Sequence, residues 1–147
     1  MRLRTLSVRF AVMFVLMTIF VAVATGAAEV YLGLEGNVGM AMIPAMVAAL
    51  HCGDVQARRT GALPGSRQAW RAASAFTAVN IAISAILFAA LVALDPATFT
   101  AMPLWAFAAV AAAMFALFLP PTRWLFGLGA RAGLKAAARR AARAQRG

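Results

Sequence analysis

Four apolar stretches constrain this chain more strongly than any other feature of its sequence. They are residues 10–28, 38–50, 72–94 and 101–119, and three of them contain 19 to 23 residues. A helix that rises about 1.5 Å per residue needs about 20 residues to cross the hydrocarbon core of a bilayer. The second stretch has only 13 residues, but extending it to residues 36–53 brings it close to that length.

The composition favours a membrane location. Apolar residues make up 64% of the 147 residues and charged residues only 12%, whereas soluble domains carry about 25% charged residues. Such high hydrophobicity excludes a disordered chain, and a single cysteine excludes a disulfide-stabilised scaffold. Because the apolar stretches lack the alternation that membrane strands need, we predict helices.

The basic residues decide how many times the chain crosses. All 14 lie before the first stretch, between the second and third, or after the fourth. Basic loops stay on the cytoplasmic side of a membrane, and four crossings put every basic segment there, whereas three do not. We therefore predict an all-α polytopic membrane protein, a four-helix transmembrane bundle with spans at about 10–28, 36–53, 72–94 and 101–119 and both termini in the cytoplasm. Thirteen arginines against one lysine, with abundant alanine, fit a GC-rich bacterial gene. The expected location is the bacterial inner membrane.

The first stretch has an alternative interpretation as a secretory signal. Two early arginines, an apolar core from Phe10 and the Ala-Val-Ala sequence at residues 22–24 resemble a signal with its cleavage site. Cleavage would leave three spans in the same orientation, so charge does not separate the two interpretations. We favour an uncleaved anchor, because an apolar core of about 15 residues is at the upper limit for a signal.

Residues 122–147 differ from the rest of the chain. Pro120 and Pro121 lack a backbone donor and should end the fourth helix, which makes residues 1–121 the transmembrane domain and residues 122–147 a basic cytoplasmic tail. We expect an amphipathic helix on anionic lipid headgroups, although a plain topology anchor needs the same charge. The basic residues proposed to contact headgroups are Arg131, Lys135, Arg139, Arg140 and Arg143. No aromatic residue is interleaved with them, so we do not expect nucleic-acid binding.

Two helix faces are candidates for contact with other helices. A polar stripe on the third span recurs every three or four residues, which places its members on one side of a helix. We expect this stripe to hydrogen-bond to neighbouring helices, and the alternative is a lining for a water or solute path. A ridge of small residues on the fourth span permits close approach within the chain or in a homodimer. The stripe consists of Ser74, Thr77, Asn80 and Ser84, and the ridge of Ala108, Ala112 and Ala116.

No constellation of residues predicts catalysis. The four spans contain no Asp, Glu, Lys or Arg, although ionisable groups at such depth usually mark function. His51, Cys52 and Asp54 cluster near the end of the second span, but His51 and Cys52 point about 100° apart on a helix. No second His or Cys exists to complete a zinc site. We therefore expect no enzyme, no metal and no cofactor.

The connection between the second and third spans is short and contains Pro64 between two glycines, so we expect helices two and three to be antiparallel neighbours. This region resembles a family of small four-span bacterial inner-membrane proteins of unassigned activity. The matching residues are Gly53, the Gly-x-x-Pro sequence at residues 61–64 and Trp70. The acidic residue that the family has just before that tryptophan is absent, since Gln68 and Ala69 stand there. The resemblance implies the four-span architecture and no activity.

Two functional hypotheses follow. The first is a non-enzymatic accessory or assembly subunit that acts by helix–helix contact, in a homo-oligomer or a larger membrane complex. The alternative is a small oligomeric transporter or channel that uses the polar stripe of span three. The spans lack the deep carboxylate that proton-coupled transporters normally have, so we place the first hypothesis ahead of the second.

Overall fold

The computed structural model describes residues 3–33, 38–94 and 104–145, which form four helices. They are α1 (Leu3–Leu32), α2 (Val38–Thr60), α3 (Ser66–Leu94) and α4 (Leu104–Ala144). No strand occurs in these ranges, so the all-α prediction is confirmed. Three of the described helices, α1, α3 and α4, are long and apolar enough to cross a membrane, whereas α2 does not meet this criterion. The predicted span ends at residues 36–37 and 101–103 lie outside the described residues.

Glycines end the first two helices. Gly33 and Gly61 have φ angles of 64° and 66°, in the left-handed region that a residue without a Cβ adopts at little cost. The Gly33 N–H donates to the Glu29 carbonyl at 3.1 Å, and the Gly61 N–H donates to the Ala57 carbonyl at 2.9 Å. These bonds satisfy carbonyls that a helix end otherwise leaves unpaired.

The four helices form a ring in which each helix has two main neighbours. α2 packs against α1 and most extensively against α4, while α3 packs against α4 and α1. α2 and α3 lie diagonally and share few contacts, so the prediction that helices two and three are neighbours is wrong. The connecting residues 61–65 reach about 16 Å when extended, which suffices for a diagonal crossing, and glycines described below bring α2 and α4 together instead.

The buried core lies at one end of this ring. Phe10 and Phe76 stack with ring centroids 4.5 Å apart, and Phe126 meets Phe76 edge-on at 5.7 Å. Small side chains of α2 and α3 fill the space around these rings. The core residues are Leu6, Phe10, Phe14, Ala45, Ala48, Ala49, Cys52, Ala69, Ala72, Phe76, Leu125 and Phe126. Every helix therefore contributes to the core, but three of them do so through only a short segment.

Beyond the core, α1, α3 and α4 continue as what we call the open apolar half, residues 15–33, 78–94 and 104–121. None of the side chains described there is buried. Large apolar side chains point outward along it; Phe20 is 66% exposed and Leu94 is 83% exposed. Contiguous apolar surface of this extent is unfavourable in water, so this half needs an apolar environment or further protein surface.

α4 does not end at its prolines. It continues through Pro120 and Pro121 to Ala144, so the prediction that these residues terminate the fourth helix is wrong. A proline removes one N–H donor but holds φ near the helical value. Leu125 and Phe126 are buried shortly after the prolines. Their burial favours continuation of the helix and outweighs the free-energy cost of the two prolines within it. Residues 104–144 are one helix, with no break at residue 121.

Candidate functional site

The basic residues collect at the end of the bundle that holds the core. Cys52 Sγ lies 3.8 Å from the Leu6 carbonyl oxygen, so the start of α1 lies beside the second half of α2. Arg123 Nη2 lies 3.4 Å from Ser66 Oγ, so the start of α3 lies beside the middle of α4. Twelve basic residues are described, since two of the 14 fall in the undescribed termini, and none of the twelve is in the open apolar half. We call this region the basic end.

The five predicted headgroup contacts all lie on the last part of α4 and are exposed: Arg131, Lys135, Arg139, Arg140 and Arg143. The segment that carries them begins within the bundle, because Leu125, Phe126 and Ala130 are buried there. The charged surface is therefore fixed in orientation relative to the rest of the molecule, at least over its first turns.

A glycine contact joins α2 to α4, and sequence analysis did not detect it. A Cβ on Gly53 would collide with the Phe126 carbonyl oxygen, and one on Gly129 would collide with the Leu50 carbonyl oxygen. A Cβ on Gly133 would lie 2.7 Å from the carbonyl oxygen and from Oδ1 of Asp54. Gly129 and Gly133 form a Gly-x-x-x-Gly spacing, the signal that permits close approach of helix backbones. That spacing was visible in the sequence, although outside the predicted spans.

The polar stripe of α3 passes from the core into the open apolar half. Thr77 is buried, Ser74 and Asn80 are half-buried, and Ser84 is exposed. Thr77 Oγ1 has no hydrogen-bond partner among the described residues, so it does not form the interhelical bond expected of the stripe. The four residues share one helix side, but the structure gives them three different environments.

The alanine ridge of α4 lies entirely in the open apolar half, and Ala108, Ala112 and Ala116 are exposed. Within the single chain, this ridge therefore does not mediate close packing of α4 onto another helix. Its surface remains available to lipid or to a second protein.

The polar cluster near the end of α2 does not converge on a common point. Cys52 is buried against Leu6, whereas the Asp54 carboxylate accepts a hydrogen bond from Arg58 Nε at 2.8 Å in an ion pair. His51 is half-buried. Across the described residues, no group of three His, Cys, Asp or Glu side chains is arranged to hold a metal ion.

A cavity of about 330 Å³ opens at the basic end between the 61–65 loop, α3 and α4. Arg123 and Arg131 line it, together with Ser66 and Trp124. The Arg123 guanidinium carbon lies 4.4 Å from the centre of the Trp70 ring, a distance at which a cation interacts favourably with the aromatic face. Sequence analysis used Arg123 only as one of the basic residues that set the topology. Its position between a proline pair and a tryptophan was the feature that could have indicated a site here.

Comparison with known proteins adds no family to these observations. No protein-family model matches the chain, and neither a curated protein nor a solved structure matches it. The resemblance noted from the loop residues therefore stays a prediction.

Proposed function

We propose that this chain is a multi-pass protein of the bacterial inner membrane, with both termini in the cytoplasm. The observation that carries the proposal is the division of the molecule into an open apolar half without buried side chains and a basic end with all described cations. An apolar half of this kind matches a hydrocarbon layer, and a cationic end matches the cytoplasmic leaflet.

The return path of the chain supports an even number of crossings. α1 and α3 both begin at the basic end, so the chain has to come back between them, and α2 is the returning segment. α2 is the helix with the longest buried face, from Pro44 to Ala57, and a helix shielded by protein needs less apolar surface than a lipid-facing one. We therefore retain the four-span topology.

Reporter fusions test this topology. A periplasm-active reporter should be active after Glu35 and inactive after Gly147, and a cytoplasm-active reporter should give the opposite pattern. Periplasmic activity at the carboxyl end would contradict an even number of crossings. Mass spectrometry of the mature N-terminus separates an uncleaved α1 from a cleaved signal.

Within the membrane, the protein acts by helix–helix contact as an accessory or assembly subunit, without catalysis of its own. Support comes from the open apolar half, in which α1, α3 and α4 bury none of their described side chains, and from the exposed ridge of Ala108, Ala112 and Ala116. In lipid, helices associate through such small-residue surfaces because backbones approach closely there.

An oligomer assay in mild detergent tests this role. Ala112→Phe should weaken self-association or partner co-purification, because a large ring blocks the ridge. Val110→Phe places the same ring on the opposite side of α4 and should leave the assembly intact. A protein that is monomeric and without a partner in every detergent would remove the proposal.

The alternative function is a small oligomeric transporter or channel. It is favoured by the continuation of the polar stripe to Ser84, which is exposed in the single chain and therefore open to contact with a second copy. Flux through liposomes that is lost in Asn80→Ala, with unchanged oligomerisation, would select this alternative over the first.

A further inference from the structure

We infer that the cavity between α3 and α4 binds the phosphate group of an anionic phospholipid, with Arg123 as its principal ligand. This inference rests on the proposed membrane location and goes beyond it, because it assigns a specific lipid site to named residues. It differs from the diffuse attraction of the exposed charges at the end of α4.

The first observation is the state of Arg123. Of the five N–H donors of its guanidinium, Nη2 reaches Ser66 Oγ at 3.4 Å, while the enclosed Nε has no acceptor among the described residues. An enclosed donor on a cation without an acceptor is unfavourable. Arg123 as a whole is half-buried and lines the adjoining cavity, so an oxyanion there would accept from its remaining Nη N–H donors and balance this partly enclosed charge.

The second observation is the charge around the cavity. Arg131 lines the same space two helical turns after Arg123, and no acidic side chain lines it. Of the two acidic residues in the described ranges, Asp54 is paired with Arg58 and Glu29 lies in the open apolar half. Two guanidinium groups without a carboxylate select an anion, and their planar donors suit phosphate oxygens.

The third observation is the setting of the cavity. Its volume of about 330 Å³ is many times the ~30 Å³ share of one water molecule, so a phosphate with its glycerol group fits. Trp124, 64% exposed, forms one wall, and tryptophan favours the headgroup region of a bilayer. Leu117, 63% exposed, lies about two turns earlier on α4, so acyl chains have an apolar surface beside the headgroup. This arrangement favours a lipid phosphate over free phosphate.

Native mass spectrometry of the purified full chain, with phosphatidylglycerol or phosphatidylcholine added, tests the site. Wild type should retain phosphatidylglycerol in preference to phosphatidylcholine, and Arg123→Gln should lower that retention by about tenfold or more, since charge-assisted hydrogen bonds are lost. Arg4→Gln removes the same charge from an exposed position on α1 that does not line the cavity, and it should retain the lipid like wild type.

Three results would overturn the inference: equal retention by Arg123→Gln and Arg4→Gln, equal retention of the two lipids by wild type, or displacement of the lipid by millimolar inorganic phosphate. Should Arg123→Gln not fold, as judged by its helical circular dichroism, Arg123→Lys and Arg131→Gln replace it. Both should reduce retention, because the first loses the planar donor pair and the second loses a charge. Recovery of each variant in the membrane fraction separates failure of this site from failure of the proposed membrane location.

Discussion

Gly129 and Leu50 bring the backbones of α4 and α2 so close that no side chain fits between them. The hydrogen of Gly129 faces the Leu50 carbonyl oxygen directly, and Gly53 makes the reciprocal approach to Phe126. Close backbone approach increases dispersion contacts and permits weak Cα–H···O bonds. This contact explains why α4, and not α3, is the main neighbour of α2.

Gly129→Ala should therefore destabilise the protein. The clash is with backbone atoms, which cannot rotate away, so the two helices must separate, and overpacking of this kind costs about 1–3 kcal/mol. Thermal unfolding in detergent, followed by circular dichroism, measures the effect. Gly127→Ala is the matched control, because a Cβ there meets no atom within 4 Å and alanine favours a helix by about 0.5–1 kcal/mol. Equal effects of the two substitutions would count against the close contact.

Phe76→Ala should be the more damaging of two matched phenylalanine truncations. Phe76 is fully buried and contacts both Phe10 and Phe126, so its loss opens a cavity and should cost about 3–5 kcal/mol. Phe20 is 66% exposed in the open apolar half, and Phe20→Ala should change the free energy of unfolding by about 0.5 kcal/mol or less. Chemical denaturation in mixed micelles compares the two. A larger cost at Phe20 would mean that the open half holds its own core.

Thr77→Val should stabilise the protein. The valine has nearly the same shape as threonine, and it removes the buried hydroxyl that has no partner in the part of the chain that the structure describes, a defect that costs about 1–3 kcal/mol. We expect the melting temperature to rise by a few degrees, while Ser84→Ala at an exposed position of the same stripe leaves it unchanged. A fall in melting temperature for Thr77→Val would indicate that the hydroxyl forms a hydrogen bond in the membrane, as expected if the polar stripe bonds to neighbouring helices.

Cys52 should resist alkylation in the folded protein. Its side chain has no exposed surface and lies against α1, so a maleimide reagent should label it only after denaturation in sodium dodecyl sulfate. A chain with Cys52→Ala and Thr5→Cys carries its thiol at an exposed position of α1 and should react at once. Rapid labelling of native Cys52 would show that α1 and α2 separate readily.

Much of the architecture was predictable from local sequence. The third and fourth apolar stretches fall within α3 and α4 as far as they are described, and the first lies inside α1. The second helix is longer than predicted, because α2 continues to Thr60, seven residues beyond the end of the predicted span at residue 53. Charged residues end an apolar stretch but not a helix, and for that reason the helices run into the basic end.

The candidate site was less predictable. The exposed basic residues of α4 were found by their charge, but the cavity beside Arg123 depends on a loop, α3 and α4 meeting in space. The burial of the polar stripe likewise depends on where the core ends, since Thr77 lies at the edge of the core and Ser84 lies beyond it. Periodicity assigns residues to a face of a helix, and it does not say what that face contacts.

The sequence by itself determined that the chain is helical, that three helices are long and apolar enough to cross a membrane, and that its cations fall in three segments. These properties follow from hydropathy and from the helical rise, which are local. Only the tertiary structure decided that the core occupies one end, that α4 passes through its prolines, and that α2 pairs with α4. Those outcomes depend on contacts between residues far apart in the chain, where backbone approach at glycines and burial of aromatic rings outweigh local preference.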